Sequence, residues 1–353
     1  MTHTKEFRTL GRTGLRVSPI GLGVMTYGWG ADKVASKAIF DLYREFGGNF
    51  FDTADMYTAG ESETWLGEFV RDARCRDEAV IATKFSFNTQ PGNPNAGGNG
   101  RKNILRAIDG SLARLKTDYV DLYYVHVWDR VTPVEEVMCT LNDLVRAGKV
   151  RHIGFSDVPA WYASRAQTIA ELCRYERLAA LQLEYSLVSR SLEREHLGLA
   201  MECGISLVPW SPLASGFLTG KYRRDSAGKI LGSGRALEQK ESSNPVMSKF
   251  FKHEKNWQIL DALLGVANEL AKTPTEVALA WVMHRPGVTS TLIGATKREQ
   301  LEANLRAAEL VLPPELMQRL NEASKPESNE LDHFFEPTMQ DMIHGGTSVK
   351  RGV

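Results

Sequence analysis

The chain has 353 residues, 42% of them hydrophobic and 24% charged, with 43 basic and 43 acidic side chains in balance. That is the composition of a soluble globular protein, long enough for one large domain or two modest ones. Balanced charge leaves no field to draw nucleic acid or an anionic membrane surface, and no apolar run approaches the roughly 18 residues of a membrane span.

The start, MTHTKEFRTLGRTGLRVSP, lacks the apolar core of a secretory signal and reads instead as a hairpin, with Gly11 or Gly14 supplying the turn. Short apolar runs then alternate with helix-like stretches. The predicted strands are 19–25, 49–53, 79–84, 119–126, 150–156, 178–185, 205–210 and 289–295. Several are apolar on both faces, as strands buried in a parallel sheet are. Between them, KNILRAIDGSLARL places Ile104, Leu105, Ile108, Leu112 and Leu115 on one helical face. Pro133 opens a further helix at its first turn and Gly148 closes it.

Eight strand–helix units point to a single α/β domain, a (β/α)8 TIM barrel spanning 1–325, with the N-terminal hairpin plugging its lower end. The competing doubly wound sheet would carry a GxGxxG after its first strand, and none is present. Two long loops, 88–100 and 215–250, fall on the C-terminal face where barrels build their sites. Residues 326–353 read as a tail. Cys75, Cys139, Cys173 and Cys203 show neither CxxC nor zinc-finger spacing, so free thiols and a cytoplasmic location are expected.

Polar residues at the strand ends carry the chemistry. NFFDT delivers Asp52, with Tyr57 in the loop beyond; AVIATK ends at Lys84 and VDLYYVH at His126. A tyrosine is a poor proton donor at neutral pH unless a neighbouring ammonium favours its phenolate, and a carboxylate would keep that lysine charged. A histidine alongside can orient a carbonyl oxygen. No serine has matching His and Asp partners, and no cluster has metal-ligand spacing. GFLTGKY is one residue short of a nucleotide P-loop, and Tyr222 replaces its Ser or Thr. Asp52, Tyr57, Lys84 and His126 together are the expected proton-transfer set for reducing a carbonyl.

In that order and at these strand ends, the four residues resemble the tetrad of the aldo-keto reductases. DTADMYTAGESE fits the family's DTAxxYGxGxSE pattern except at Thr58. VHVWDRVTPVEEVM, LVRAGKVRHIGFSDVPAW and PWSPLASGFLTGKY are similar to its aryl-alcohol-dehydrogenase-like branch. The resemblance implies a nicotinamide cofactor. Trp210 would stack on its ring, Ser156 and Gln182 would hold its carboxamide, and Asp157 stands where many relatives have Asn. Gly23, Thr26 and Asp52 would line the same site. Ser211, Leu213, Ser215, Gly216 and Lys221 match the pyrophosphate loop, and Arg235, Gly294, Thr296, Gln300 and Asn304 match the adenosine half. Gln300 replaces an Arg common in the family and Ala303 a Glu, while Lys297 and Arg298 could compensate. NADP(H) is therefore expected, with NAD(H) left open.

Tyr27, Trp29, Phe85 and Trp128 would line an apolar mouth for a small carbonyl or alcohol substrate. Nucleic acid and membrane partners are not expected; a homo-oligomer stays open. The resemblance also extends to potassium-channel β-subunits, in which the barrel is a regulatory partner.

Overall fold

The computed structural model describes residues 6–225, 229–232 and 249–349. The hairpin comes first, with β1 (Arg8–Thr9) antiparallel to β2 (Arg16–Val17). Gly11 sits at φ 58°, the left-handed region where a side chain is disfavoured. A Cβ there would also stand 2.5 Å from the Ala179 carbonyl oxygen, so the turn lies directly against the sheet.

All eight predicted strands form. They are β3 (Ile20–Gly23), β4 (Phe50–Asp52), β5 (Val80–Phe85), β6 (Val120–Val125), β7 (Val150–Ser156), β8 (Leu178–Gln182) and β9 (Ser206–Leu207), followed after an excursion by β12 (Thr291–Ile293). Within the excursion, β10 (Arg223–Arg224) and β11 (Ile230–Leu231) form a second small hairpin that the sequence did not suggest. The eight are parallel, β3 to β9 each pair with the next in sequence, and β12 pairs with β3. Leu207 N donates to Gly287 O at 2.9 Å, Thr289 N to Leu207 O at 3.0 Å, and Leu292 N to Pro209 O at 2.9 Å. These bonds carry the curled sheet from β9 toward β12, consistent with a (β/α)8 barrel.

Alternation along each strand sorts the side chains into two layers. Phe50, Val80, Ala82, Leu122, Tyr124, Ala180, Val208 and Leu292 form an inner cluster with Leu10 and Val17 of the hairpin. Gly11 N donates to Ser206 Oγ at 2.6 Å, which sets the hairpin at the strands' N-terminal end. The opposite parity, including Phe51, Ile81, Phe85, Tyr123 and Phe155, belongs to a larger outer cluster with the helices.

Those helices include α1 (Lys33–Glu45), α2 (Glu61–Asp72), α3 (Arg101–Leu115), α4 (Val134–Arg146), α5 (Ala160–Cys173) and α6 (His196–Cys203). In α3 the buried stripe is Ile104, Ile108, Leu112 and Leu115, whereas Leu105 is exposed. At 100° per residue, Leu105 falls on the edge of that stripe rather than within it. Pro133 precedes α4 as its cap, one position earlier than predicted, and Gly148 follows it at φ 73°. Among the described residues, the tail from 326 onward carries a 3-10 turn, Asp332–Phe335, and a short α-helix, Pro337–Ile343, neither with a buried residue. Among the described residues, no helix is long and apolar enough to cross a membrane.

Gly67 shows how closely the outer layer is packed. Alanine is better than glycine in a helix by about 1 kcal/mol. In α2, however, a Cβ at Gly67 would lie 2.4 Å from the Leu115 carbonyl oxygen and 2.6 Å from its Cα, at the end of α3. Both are backbone atoms, and overpacking typically costs about 1–3 kcal/mol. Gly67→Ala is therefore expected to lower the thermal midpoint; a midpoint at or above wild type would mean that α2 and α3 separate freely.

Candidate active site

Asp52 ends β4 and Lys84 is the penultimate residue of β5, both on the inward parity of neighbouring strands. Lys84 Nζ donates to Asp52 Oδ1 and, at 2.9 Å, to the Thr53 carbonyl oxygen. Gln182 Nε2, from β8, donates to Asp52 Oδ2 at 2.8 Å. The two charged side chains are 0% and 4% exposed, so each depends on the other.

Tyr57 and His126 complete the group. The ammonium of Lys84 stands 5.1 Å from the Tyr57 ring centroid, and the Tyr57 and His126 rings meet edge-on at 5.7 Å. The structure thus brings together all four strand-end residues singled out from the sequence. Beyond Tyr57, Thr58 and Ala59 take left-handed φ values of 49° and 53°. Thr58 therefore occupies the backbone region that the pattern's glycine would occupy freely, and its Oγ1 donates to the Tyr27 carbonyl at 2.9 Å.

Electrostatics separate the roles. Burial raises the Tyr57 phenol above its ordinary value, and the downward pull of Lys84 only partly offsets that rise. Burial pulls Lys84 down, but Asp52 and Tyr57 outweigh it and hold the ammonium charged. Burial, then the Lys84 charge, push His126 well below its ordinary range, so the imidazole is neutral. Its Nδ1 is buried without a hydrogen-bond partner among the described residues.

Residues not singled out from the sequence hold His126 in place. Its backbone N–H donates to Phe85 O at 2.9 Å and to Ser86 Oγ at 3.1 Å. Ser86 Oγ donates to Asn99 Oδ1 at 2.6 Å, and Asn99 Nδ2 to Val127 O at 2.9 Å. Asn99 N also reaches Asp129 Oδ2 at 2.8 Å. The loop 88–100 therefore braces the end of β6, and its density of Asn next to a strand end was the available signal.

Across the mouth, Ser156 and Gln182 are buried at the ends of β7 and β8, and half-buried Trp210 follows β9. Trp210 Nε1 donates to Asp157 Oδ1 at 3.1 Å. The next loop has φ 55° at Ser211, 49° at Ala214, 55° at Ser215 and 90° at Gly216. Within it Ala214 N donates to Ser211 O at 2.9 Å, Gly216 N to Leu213 O at 2.9 Å and Ser215 N to Ser211 Oγ at 3.2 Å. Leu213 lies within the same loop, and Lys221 Nζ lies 3.2 Å from where a Cβ of Gly216 would stand. A Cβ on Gly294 would lie 3.7 Å from Gly23 O, and Thr26 Oγ1 donates to Ala295 O at 2.7 Å. Thr296 bonds through N, at 2.9 Å, and Oγ1, at 3.1 Å, to Gln300 Oε1. Asn304 is buried on the same helix, Arg298–Leu305. Arg235 lies outside the described residues. An indole at the mouth and a loop of left-handed backbone with a lysine beside it are groups that fit a dinucleotide.

The aromatic mouth differs from expectation. Phe85 is 0% exposed and stacks at 4.9 Å on Tyr123, because it has the parity opposite to Lys84. Tyr27 is 1% exposed and meets Phe69 at 6.0 Å. Both are core residues rather than mouth residues. Trp29 is exposed, and Trp128 is half-buried against Trp161 at 5.4 Å. Phe87, which the sequence did not single out, is exposed and meets the His126 ring edge-on at 4.9 Å. Among the described residues, no group of three His, Cys, Asp or Glu is placed to hold a metal.

Residues 19–325 match the sequence profile of the Aldo/keto reductase family, and the chain belongs to that family. It is 35% identical over 326 residues to an aryl-alcohol dehydrogenase [NADP(+)] of Phanerodontia chrysosporium, covering 88% of this chain and 83% of that one. It is 35% identical to a norsolorinic acid reductase of Aspergillus flavus, covering 88% and 78%. A probable voltage-gated potassium channel subunit beta of Oryza sativa subsp. japonica is also 35% identical, covering 92% and 99%. Family membership supports an oxidoreductase activity.

Behind Lys84 sits a buried carboxyl that the sequence reading passed over. Asp55 N donates to the Lys84 carbonyl at 3.0 Å, while its Oδ1 has no partner among the described residues. Burial first, then Glu63, push it from the ordinary 3.8 to about 7, against the pull of Arg114 and Arg106. The folded protein therefore holds a proton here that the unfolded chain has already lost. Stability from this group falls as pH rises from about 4 to about 7, by about 1.4 kcal/mol per pH unit within that window. Asp55→Asn removes the titration. Its stability relative to wild type, by denaturant melts, is expected to improve between about pH 4 and pH 7; a difference that stays flat over that window would refute the assignment.

Proposed function

We propose that the chain is an NADP(H)-dependent reductase of aldehydes or ketones, aromatic or otherwise apolar, also able to run as an alcohol dehydrogenase. The fold we read as a closed (β/α)8 barrel over 1–325, with 326–353 as an appended tail. The observation that carries the reading is the contact group of Asp52, Lys84, Tyr57 and His126 at the strand ends, with Trp210 and the left-handed loop after it nearby. When bound, the nicotinamide supplies the hydride. Tyr57 holds its phenolic proton at neutral pH and gives it up only as charge builds on the substrate oxygen, a far stronger base than the phenolate left behind. Lys84 stabilises that phenolate, Asp52 keeps Lys84 charged and in place, and neutral His126 orients the oxygen with a ring N–H.

For the cofactor's phosphates, the loop Ser211–Gly216 with Lys221 would take the pyrophosphate. Lys297, at the start of the helix Arg298–Leu305, would take the 2′-phosphate, because Gln300 is turned onto Thr296. Among the relatives, the aryl-alcohol dehydrogenase named for NADP(+) supports the same preference. Trp29, Phe87 and Trp128 favour a planar apolar carbonyl compound as substrate. The rice relative supports a second reading, a cofactor-binding regulatory subunit, which would turn over its bound nucleotide slowly and assemble with a membrane partner.

Tyr57→Phe and Lys84→Met separate chemistry from scaffold. Tyr57→Phe removes one hydroxyl and should lower steady-state reduction of an aromatic aldehyde by about 10²–10⁴-fold while leaving NADPH affinity and thermal stability near wild type. Lys84→Met should lose activity too, and by stranding Asp52 should also cost roughly 3–5 kcal/mol of stability. A folded, NADPH-binding Tyr57→Phe protein within a few-fold of wild-type rate would rule the mechanism out. No turnover of any aldehyde or ketone by the wild type would favour the regulatory reading.

A further inference from the structure

Asp157 is a carboxylate where the chemistry described so far needs none. It follows β7 in the left-handed region at φ 45°, and its Oδ1 accepts the Trp210 indole N–H at 3.1 Å. Its Oδ2 faces the Ser156 hydroxyl at 3.5 Å. No lysine or arginine forms an ion pair with it among the described residues; Lys84, bonded to Asp52, favours its charge only through space. Glu184 stands nearby, its backbone bridged to that of Trp210, but that carboxylate is neutralised by Lys249 at 2.6 Å. Asp157 is thus a carboxylate without an ion-pair partner among the described residues, attached to the edge of the indole. It is reachable from solvent yet crowded, and burial, partly relieved by Trp210, worsened by Glu184 and partly relieved by Lys84, pushes its carboxyl up to about 6. Above that pH it is ionised.

The two redox forms of a nicotinamide differ by one charge at the ring: the oxidised ring is a cation and the reduced ring is neutral. We propose that Asp157 makes this site discriminate between them, binding the oxidised cofactor more tightly than the reduced one. The inference rests on the reading that Trp210 carries the nicotinamide ring. A fixed anion beside that ring attracts only the cationic form, and differential affinity is what shifts an equilibrium between two states. By linkage, the same charge makes bound NADPH a stronger hydride donor than free NADPH, because the product of donation is the form the site prefers.

Asp157→Asn is a clean probe. Asparagine tolerates left-handed backbone as well as aspartate does, and its amide oxygen can still accept the indole N–H, so only the charge is removed. Calorimetric titration of the full-length wild type and variant with NADP+ and with NADPH, at about pH 8, reads the two dissociation constants directly. The ratio of NADPH to NADP+ dissociation constants is expected to fall on the order of fivefold in the variant, a modest value because solvent screens an accessible carboxylate. Thermal melts of both proteins check that the fold is kept. Equal ratios in the two proteins, with both nucleotides bound, would overturn the proposal while leaving the cofactor reading intact. Failure of the wild type to bind either nucleotide would overturn both.

Discussion

The Lys84–Asp52 pair is the constraint around which the rest of the interior is arranged. Two opposite charges at 0% and 4% exposure are tolerable because both carboxylate oxygens and two of the three ammonium donors are met. Lys84 has Asp52 and the Thr53 carbonyl; Asp52 has Lys84 on one oxygen and Gln182 on the other. Gln182 comes from β8, four strands along the sheet from β4, so the pair ties together strands that do not touch through the ladder. The upper layer of the interior is thereby given over to polar groups. Apolar packing falls to the layer below, Phe50, Val80, Ala82, Leu122 and Leu292, closed underneath by Leu10 and Val17. Both layers come from alternate residues of the same short strands, so neither can slip register without destroying the other.

Backbone strain is distributed according to the same division. Of the non-glycine residues in the left-handed region, Lys116 and Arg174 are the C-caps of α3 and α5, where that conformation commonly ends a helix. Thr58, Ala59, Asp157, Ser211, Ala214 and Ser215 are different: all lie in loops that follow the C-terminal ends of strands. Each carries a conformational cost of about 1–3 kcal/mol that neighbouring contacts must over-determine. Thr58 is pinned by the Tyr27 carbonyl, Asp157 by Trp210, and Ser215 N by Ser211 Oγ at 3.2 Å. Strain concentrated on one rim of a regular scaffold marks the rim as the place where position matters more than stability.

The fold was legible in the sequence because eight buried strands leave eight short apolar runs, and periodicity reports those directly. The candidate group was legible as a cluster because Asp52, Lys84 and His126 break such runs at their ends. What periodicity reports less well is which way a residue faces. Phe85 follows Lys84 immediately, and the alternation that turns Lys84 inward turns Phe85 to the helices; counting positions would have excluded it. Tyr27 lies in a loop, where no period exists, and only contact with Phe69 reveals it as core. Ser86, Asn99 and Asp55 were missed for another reason. They act on the tetrad through backbone groups, and a bond to a carbonyl or an N–H leaves no pattern of residue types to find.

A final consequence concerns direction. On the proposed reading, hydride transfer to a carbonyl separates charge, positive on the nicotinamide side and negative on the substrate oxygen. The charges around the mouth are already arranged in that sense. Lys84 sets a buried cation below Tyr57 on the oxygen side, and its own counter-ion, Asp52, lies deeper still in the sheet. Asp157 sets an anion against Trp210 on the other side. Neither charge can reorient, since one is locked in the sheet and the other is held on a constrained loop. Fixed charges of this kind act on the transition state without the reorganisation that water would need. The same argument explains why His126 is better neutral: a second cation next to Lys84 would be repelled by it, whereas a neutral ring donates a hydrogen bond and leaves the field to the ammonium.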